Sequence, residues 1–147
     1  MAYTLQAIIG TSQLSNANHF DDLPCIELLQ SIILIPMISR IREQHGISFL
    51  PLTDGGQDVV PHEIESLCLQ LSGGGKLAYV EAEFFGGVGT QACALYENGQ
   101  AIGHLEISPE AINHSLNFLG VFKEGDSDEF EALSLDKHRD IEDWLNG

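Results

Sequence analysis

Apolar and polar side chains alternate most regularly between Lys76 and Ile107, KLAYVEAEFFGGVGTQACALYENGQAIGHLEI, which predicts three antiparallel strands joined by two short turns. Asn98-Gly99 is the firmest signal, because a two-residue type I′ turn needs positive φ at both central positions. That turn sets Glu97 opposite Gln100, Leu95 opposite Ile102, Cys93 opposite His104 and Gln91 opposite Glu106. Upstream, Gly86-Gly87-Val88-Gly89-Thr90 predicts a five-residue hairpin loop, which places Glu83 opposite Cys93. One face then collects Ala78, Val80, Ala82, Phe84, Ala92, Ala94 and Tyr96 as the core side. The other carries Tyr79, Glu81, Glu83, Phe85, Gln91, Cys93, Leu95, Ile102, His104 and Glu106.

Outside this meander the pattern is mixed. Tyr3 to Ile9 reads as a strand ended by Gly10, and the Ser/Asn/Asp-rich stretch from Thr11 to Asp22 as a loop. Cys25 to Leu29 and Ile32 to Ile35 are short apolar runs that predict buried strands. Met37 to His45 switches to helical spacing and stops at Gly46. Pro51, Asp54, Gly55 and Gly56 mark residues 47–58 as a loop and a candidate lid. A helix follows from Pro61, with Glu63 and Glu65 in its first turn and Ile64, Leu67, Cys68 and Leu71 on one stripe. Ser108-Pro109-Glu110 opens another, with Ile112, Leu116 and Leu119 inward and Gly120 closing it. Lys123 to Glu131 reads as a solvated acidic loop and Leu135 to Leu145 as a last amphipathic helix anchored by Trp144. The expected architecture is a single α+β domain over 1–147, with a mainly antiparallel sheet, a central three-stranded meander at about 76–107 and helices covering one face.

Charge changes the picture most. Against 22 Asp and Glu stand 6 Lys and Arg, a formal charge of −16. Nucleic acid is excluded as a partner, because phosphate contacts need a basic face. The same field favours a protein partner with a basic surface. Three cysteines, Cys25, Cys68 and Cys93, lie in apolar runs without metal-type spacing, which fits reduced thiols and a cytoplasmic setting. The start MAYTLQAIIG has neither the basic flank nor the apolar core of a signal peptide or anchor, and no apolar run is long enough to span a bilayer, so no membrane partner is expected. The cysteine spacing calls for no metal, and no cofactor is expected.

Candidate chemistry sits on the polar sheet face. Glu83, Cys93 and His104 fall in one row of the expected register, a thiol between an imidazole and a carboxylate, which is what a cysteine nucleophile requires. The plainer reading of an antiparallel face is a solvated or partner-binding surface. On that reading the contact residues are Glu81, Glu83, Phe85, Gly86, Gly87, Gly89, Thr90, Gln91, His104 and Glu106, with the acidic stretch Glu124, Asp126, Asp128 and Glu131 beside them. A third reading makes Tyr79, Phe85, Leu95 and Ile102 a homo-oligomer interface.

The run Glu81 to Ala92, the Asn98-Gly99 turn, Ala111-Ile112-Asn113-His114 and the closing His138-Arg139-Asp140-Ile141-Glu142-Asp143-Trp144-Leu145 resemble a family of small uncharacterised bacterial proteins, some of them immunity proteins of polymorphic toxins. The resemblance covers roughly the C-terminal half and brings no catalytic motif. It implies a stoichiometric inhibitor that turns an acidic surface toward a basic toxin. The expected function is therefore non-catalytic protein binding, with a small hydrolase-like or metal-assisted enzyme using Glu83, Cys93 and His104, or a homo-oligomer, as the alternatives.

Overall fold

The computed structural model describes residues 2–11, 23–85, 88–123, 125, 128–133 and 135–145. Six strands, β1 (Ala2–Thr11), β2 (Ile26–Glu27), β3 (Ile32–Pro36), β4 (Lys76–Phe85), β5 (Val88–Glu97) and β6 (Gln100–Ile107), form one antiparallel sheet in the order β2-β3-β1-β4-β5-β6. Four α-helices accompany it among the described residues: α1 (Ser39–His45), α2 (His62–Leu71), α3 (Ala111–Phe118) and α4 (Glu129–Ala132). The class is α+β, as the segregation of helices from the meander predicts.

The helices cover both faces of the sheet, not the single face expected from the sequence. Ile8, Ile35, Leu77, Tyr79, Ala92, Ala94 and Tyr96 face one core with Ile41 of α1 and Ile64, Leu67, Cys68 and Leu71 of α2. Leu5, Ala7, Ile9, Leu34, Ala78, Val80, Ala82 and Cys93 face a second core with Ala111, Ile112 and Leu116 of α3 and Trp144. A sheet buried on both sides has strands that read as nearly continuous apolar runs, which is why Leu5, Ala7, Ile8 and Ile9 of β1 are all buried.

Register explains the difference. Phe85 pairs with Val88 and Glu83 with Thr90, so the β4–β5 connection is two residues long rather than five. The shift of three residues is odd, and an odd shift turns every side chain of one strand to the opposite face. Ala78, Val80 and Ala82 thus part company with Ala92, Ala94 and Tyr96.

The second turn behaves as predicted, with Asn98 at φ 53° and Gly99 at φ 77°, and Leu95 opposite Ile102. Beyond it β6 bulges. Cys93 lies opposite Glu106 instead of His104, and Gly103 takes φ 69° in the extra loop of strand. A glycine is what a left-handed residue inside a strand requires.

Boundaries elsewhere follow local chemistry. Gly46, in the left-handed region at φ 68°, terminates α1, and its N–H bonds the Arg42 carbonyl. The run 25–29 keeps only two residues of strand before Gln30 and Ser31, both at positive φ, turn the chain into β3. Cys25 is exposed rather than packed in an apolar run. Within the acidic stretch, Asp128 caps α4 by accepting from the Glu131 N–H at 2.9 Å, so part of the expected loop is a helical turn. The expected helix 135–145 is two short 3-10 turns, Leu135–Lys137 and Ile141–Leu145. The Arg139 carbonyl accepts from Thr4 of β1 at 2.8 Å and Asp140 caps the second turn, so these residues leave helical pairing. Trp144 is buried as expected of an anchor.

Gly103 has open space around the position of a Cβ, so a substitution there probes backbone conformation alone. Gly103→Ala should lower stability by about 1 kcal/mol, the penalty of an L side chain in the left-handed region, measured by urea unfolding at constant m.

Candidate functional site

The three residues expected to act together are separated. Cys93 pairs with Val80 and is buried in the α3-side core, whereas Glu83 faces the other side of the sheet opposite Thr90. Burial, with Glu106 adding to it, pushes the Cys93 thiol up to about 12, the reverse of what an attacking thiolate needs. His104 is exposed on the β6 bulge, displaced from its expected place across from Cys93.

The expected contact residues divide in the same way. Glu81 is fully buried. Glu83 is half-buried, and loss of water, then the neighbouring carboxylates of Asp54 and Glu81, raise its carboxyl. Gly89 sits across from Phe84, where a Cβ would run into the Phe84 ring and the Glu83 carbonyl, so this glycine serves packing. Thr90 is exposed. Gln91 accepts the Ile112 N–H at 2.9 Å and so holds the first turn of α3. Glu106 accepts from the Ser108 hydroxyl at 2.5 Å and lies 2.7 Å from His114 Nδ1; these bonds outweigh its desolvation and keep its carboxyl below the usual range. Gly86, Gly87, Glu124 and Asp126 lie outside the described residues, as does the Phe85 side chain. Of the patch expected between subunits, Tyr79 is fully buried and Leu95 packs against the α3-side core, while Ile102 is exposed.

What the sheet does build is a buried polar cluster. The Tyr79 hydroxyl donates to Glu81 at 2.5 Å and accepts from Gln6 Nε2 at 2.9 Å. Glu81 also accepts from the Leu52 N–H, the Thr53 N–H and the Thr53 hydroxyl at 3.1, 2.9 and 3.1 Å. Gln6 Nε2 donates to the Ser48 carbonyl and its Oε1 accepts from the Leu50 N–H. Gln6, Tyr79 and Glu81 are each 0% exposed, so three side chains on adjacent strands clamp residues 48–53 onto the sheet. Near this end the segment is tied down rather than a lid. Burial raises the Glu81 carboxyl against the pull of its donors, and burial with the Glu81 charge raises the Tyr79 hydroxyl.

Past the clamp, Asp58, Val59 and Val60 form one wall of a groove of about 350 Å³ against β5 and β6. Glu65 of α2 and Tyr96 lie in it with Ile102 and His104 of the bulge. Burial, with Cys68 and then Glu65 beside it, pushes the Tyr96 hydroxyl up. β6 is an edge of the sheet and Val59 is 67% exposed, so the groove combines open backbone, apolar surface and two acids. Of the expected contacts only His104 belongs to it. Asp58 and Glu65 escaped the sequence reading because their loop and helix come to β6 only through tertiary packing; the glycine at 103, a sign of a bulge inside a strand, was the available signal.

Among the described residues the fold is thus an α+β sheet covered on both faces, with no strand paired beyond β6. No family model, curated protein or solved structure matches the chain. No group of three His, Cys, Asp or Glu placed to hold a metal occurs among the described residues, nor does a helix long and apolar enough to cross a membrane.

Two outcomes follow from the cluster and from Cys93. Because the folded-state value of Glu81 is raised, its stabilising contribution is complete below the ordinary glutamate range and is lost as pH rises through the raised value. The stability difference between the native chain and Glu81→Gln should therefore shift toward the variant across that interval; parallel denaturation curves over pH would refute it. Cys93 should resist a thiol reagent at neutral pH in the folded chain and react on unfolding, followed by peptide mass mapping.

Proposed function

We propose that this chain is a non-catalytic binding protein, immunity- or inhibitor-like, whose acidic surface engages a protein partner with a basic surface, and that the β6 edge is its contact. The observation that carries this reading is the open edge strand beside a groove holding Asp58 and Glu65. An edge strand offers a row of backbone donors and acceptors to an extended segment of a partner. Acids in the adjoining groove select a segment that carries lysine or arginine.

Overall charge supports the same partner. With 6 Lys and Arg against 22 acids, at least sixteen carboxylates have no lysine or arginine of their own. Asp54, Asp58, Glu63 and Glu110 are among the exposed acids. Such a field speeds encounter with a basic protein and weakens as salt screens it. The enzyme alternative finds no support in the placement of Glu83, Cys93 and His104, which do not meet.

Affinity capture from the lysate of the producing cells tests the reading. The native chain should retain a protein of basic isoelectric point, less of it at high salt, and Asp58→Lys combined with Ile102→Lys should abolish retention while leaving the fold intact by circular dichroism. Retention unchanged by the double variant would rule out the β6 edge, and retention of no basic protein would rule out the function.

A further inference from the structure

Asn98-Gly99 closes the β5–β6 hairpin, and the same pair can react with itself. Glycine has no Cβ to crowd its backbone nitrogen, so that nitrogen can approach the side-chain amide of a preceding asparagine. In the reaction the Gly99 nitrogen gives up its proton and attacks Asn98 Cγ. A C–N bond forms, the bond from Cγ to the side-chain nitrogen breaks, and that nitrogen leaves with the proton as ammonia. Water then opens the resulting succinimide at either carbonyl. Opening at Cγ leaves aspartate; opening at the main-chain carbonyl leaves isoaspartate, whose backbone runs through Cβ and Cγ. Asn98 is exposed, so water and base reach its side chain.

What the fold restrains is the nucleophile. In a two-residue turn the N–H of the second central residue has no place in the strand ladder. Here it donates to Ser72 twice, to the carbonyl oxygen and to the hydroxyl oxygen, each at 3.1 Å. Ser72 lies in the 3-10 turn Ser72–Gly74 that follows α2 and is 0% exposed. Its own hydroxyl donates to the Leu69 carbonyl at 3.3 Å, which leaves its oxygen lone pairs for Gly99. The Asn98 N–H is held as well, by the Gly75 carbonyl at 3.2 Å. Two acceptors around the Gly99 nitrogen favour its protonated form and oppose the negative charge it must carry to attack. The nitrogen becomes reactive only when the turn comes away from Ser72, a local opening of the kind that also governs amide exchange.

We propose that Asn98 is a covalent modification site, converted with Gly99 to a succinimide and then to aspartate or isoaspartate, and that Ser72 sets the rate by holding the attacking nitrogen. Isoaspartate adds a carbon to the main chain of a turn built for two residues, which unpairs Glu97 from Gln100 and frees the start of β6. The site stands whether or not the β6 edge binds a protein.

Peptide mass mapping with isoaspartate detection, on the full chain held at mildly alkaline pH, tests this. A second such pair, Asn146-Gly147, lies outside the described residues, and the map must resolve the two. Asn98 in the folded chain should convert at least about tenfold more slowly than in the same chain unfolded in urea, and the Gly99 amide should exchange its hydrogen more slowly by a similar factor. Ser72→Ala removes the hydroxyl and keeps the carbonyl; it should speed conversion and Gly99 exchange together, each about fivefold, as expected for the loss of one hydrogen bond. Ile141→Val is the control. Ile141 follows the Arg139 contact with Thr4, which pairs with Glu83 at the end of β4 away from this turn, so the variant destabilises the chain and leaves Ser72 in place. Its Asn98 should convert at the native rate. Equal conversion in the folded and urea-unfolded chains, a native rate in Ser72→Ala, or conversion in Ile141→Val as fast as in Ser72→Ala would each overturn the proposal; the first comparison needs no variant and holds even where Ser72→Ala fails to fold.

Discussion

A carboxylate sealed inside a fold must be held by its neighbours, and Glu81 is held by four donors that carry no charge. Desolvating such a group without partners costs several kcal/mol, so the arrangement that supplies the donors is closely constrained. Here the donors come from the Leu52 and Thr53 backbone, the Thr53 hydroxyl and Tyr79. The loop after α1 can therefore take few positions other than the observed one. Leu50 accepts a positive φ of 42° within it, a strain that the surrounding bonds hold in place. By seating residues 48–53, the cluster also determines where Asp58 and Val59 begin their wall of the β6 groove. Interior chemistry and surface chemistry are linked through this one loop.

Covering the sheet on both faces has a second consequence. Each strand of the centre, β1 and β4, must bury both of its surfaces, which leaves the sheet with free polar groups at its edges alone. The β2 edge is two residues long, a common way to blunt an edge. The β6 edge is eight residues long and broken by a bulge at Gly103. Bulges twist an edge away from unwanted pairing and turn side chains in new directions, and here one places His104 at the groove. The two edges also differ in their side chains, with Asp58, Glu65 and His104 at one and Glu27, Lys137 and His138 at the other.

Much of the fold was legible in local patterns. The type I′ turn at Asn98-Gly99, the apolar stripe of α2, the glycine stop of α1 and the anchoring of Trp144 all depend on neighbours close in sequence. The site was not legible, because it depended on one pairing: a five-residue glycine loop and a two-residue one both satisfy the turn chemistry of residues 86–90, yet they place Cys93 on opposite faces. Alanine made the error invisible. Ala78, Ala82, Ala92 and Ala94 fit a core on either face, so the alternation alone could not distinguish one covered face from two. The glutamates misled for a related reason, since a buried carboxylate is rare and a solvated one is the ordinary case.

By itself the sequence determined the class of architecture, most element boundaries and the acidity of the surface, because propensity, turn chemistry and charge are properties of neighbouring residues and of sums. Only the tertiary structure decided which face each strand presents, that Glu81 is interior, that residues 135–145 are two turns instead of a helix, and which side chains meet at either edge. Those outcomes turn on strand register and on hydrogen bonds between residues far apart in the chain, such as Thr4 with Arg139 and Glu81 with Thr53. Such pairings are selected by the free energy of the whole packed arrangement, and no local stretch contains the information that selects them.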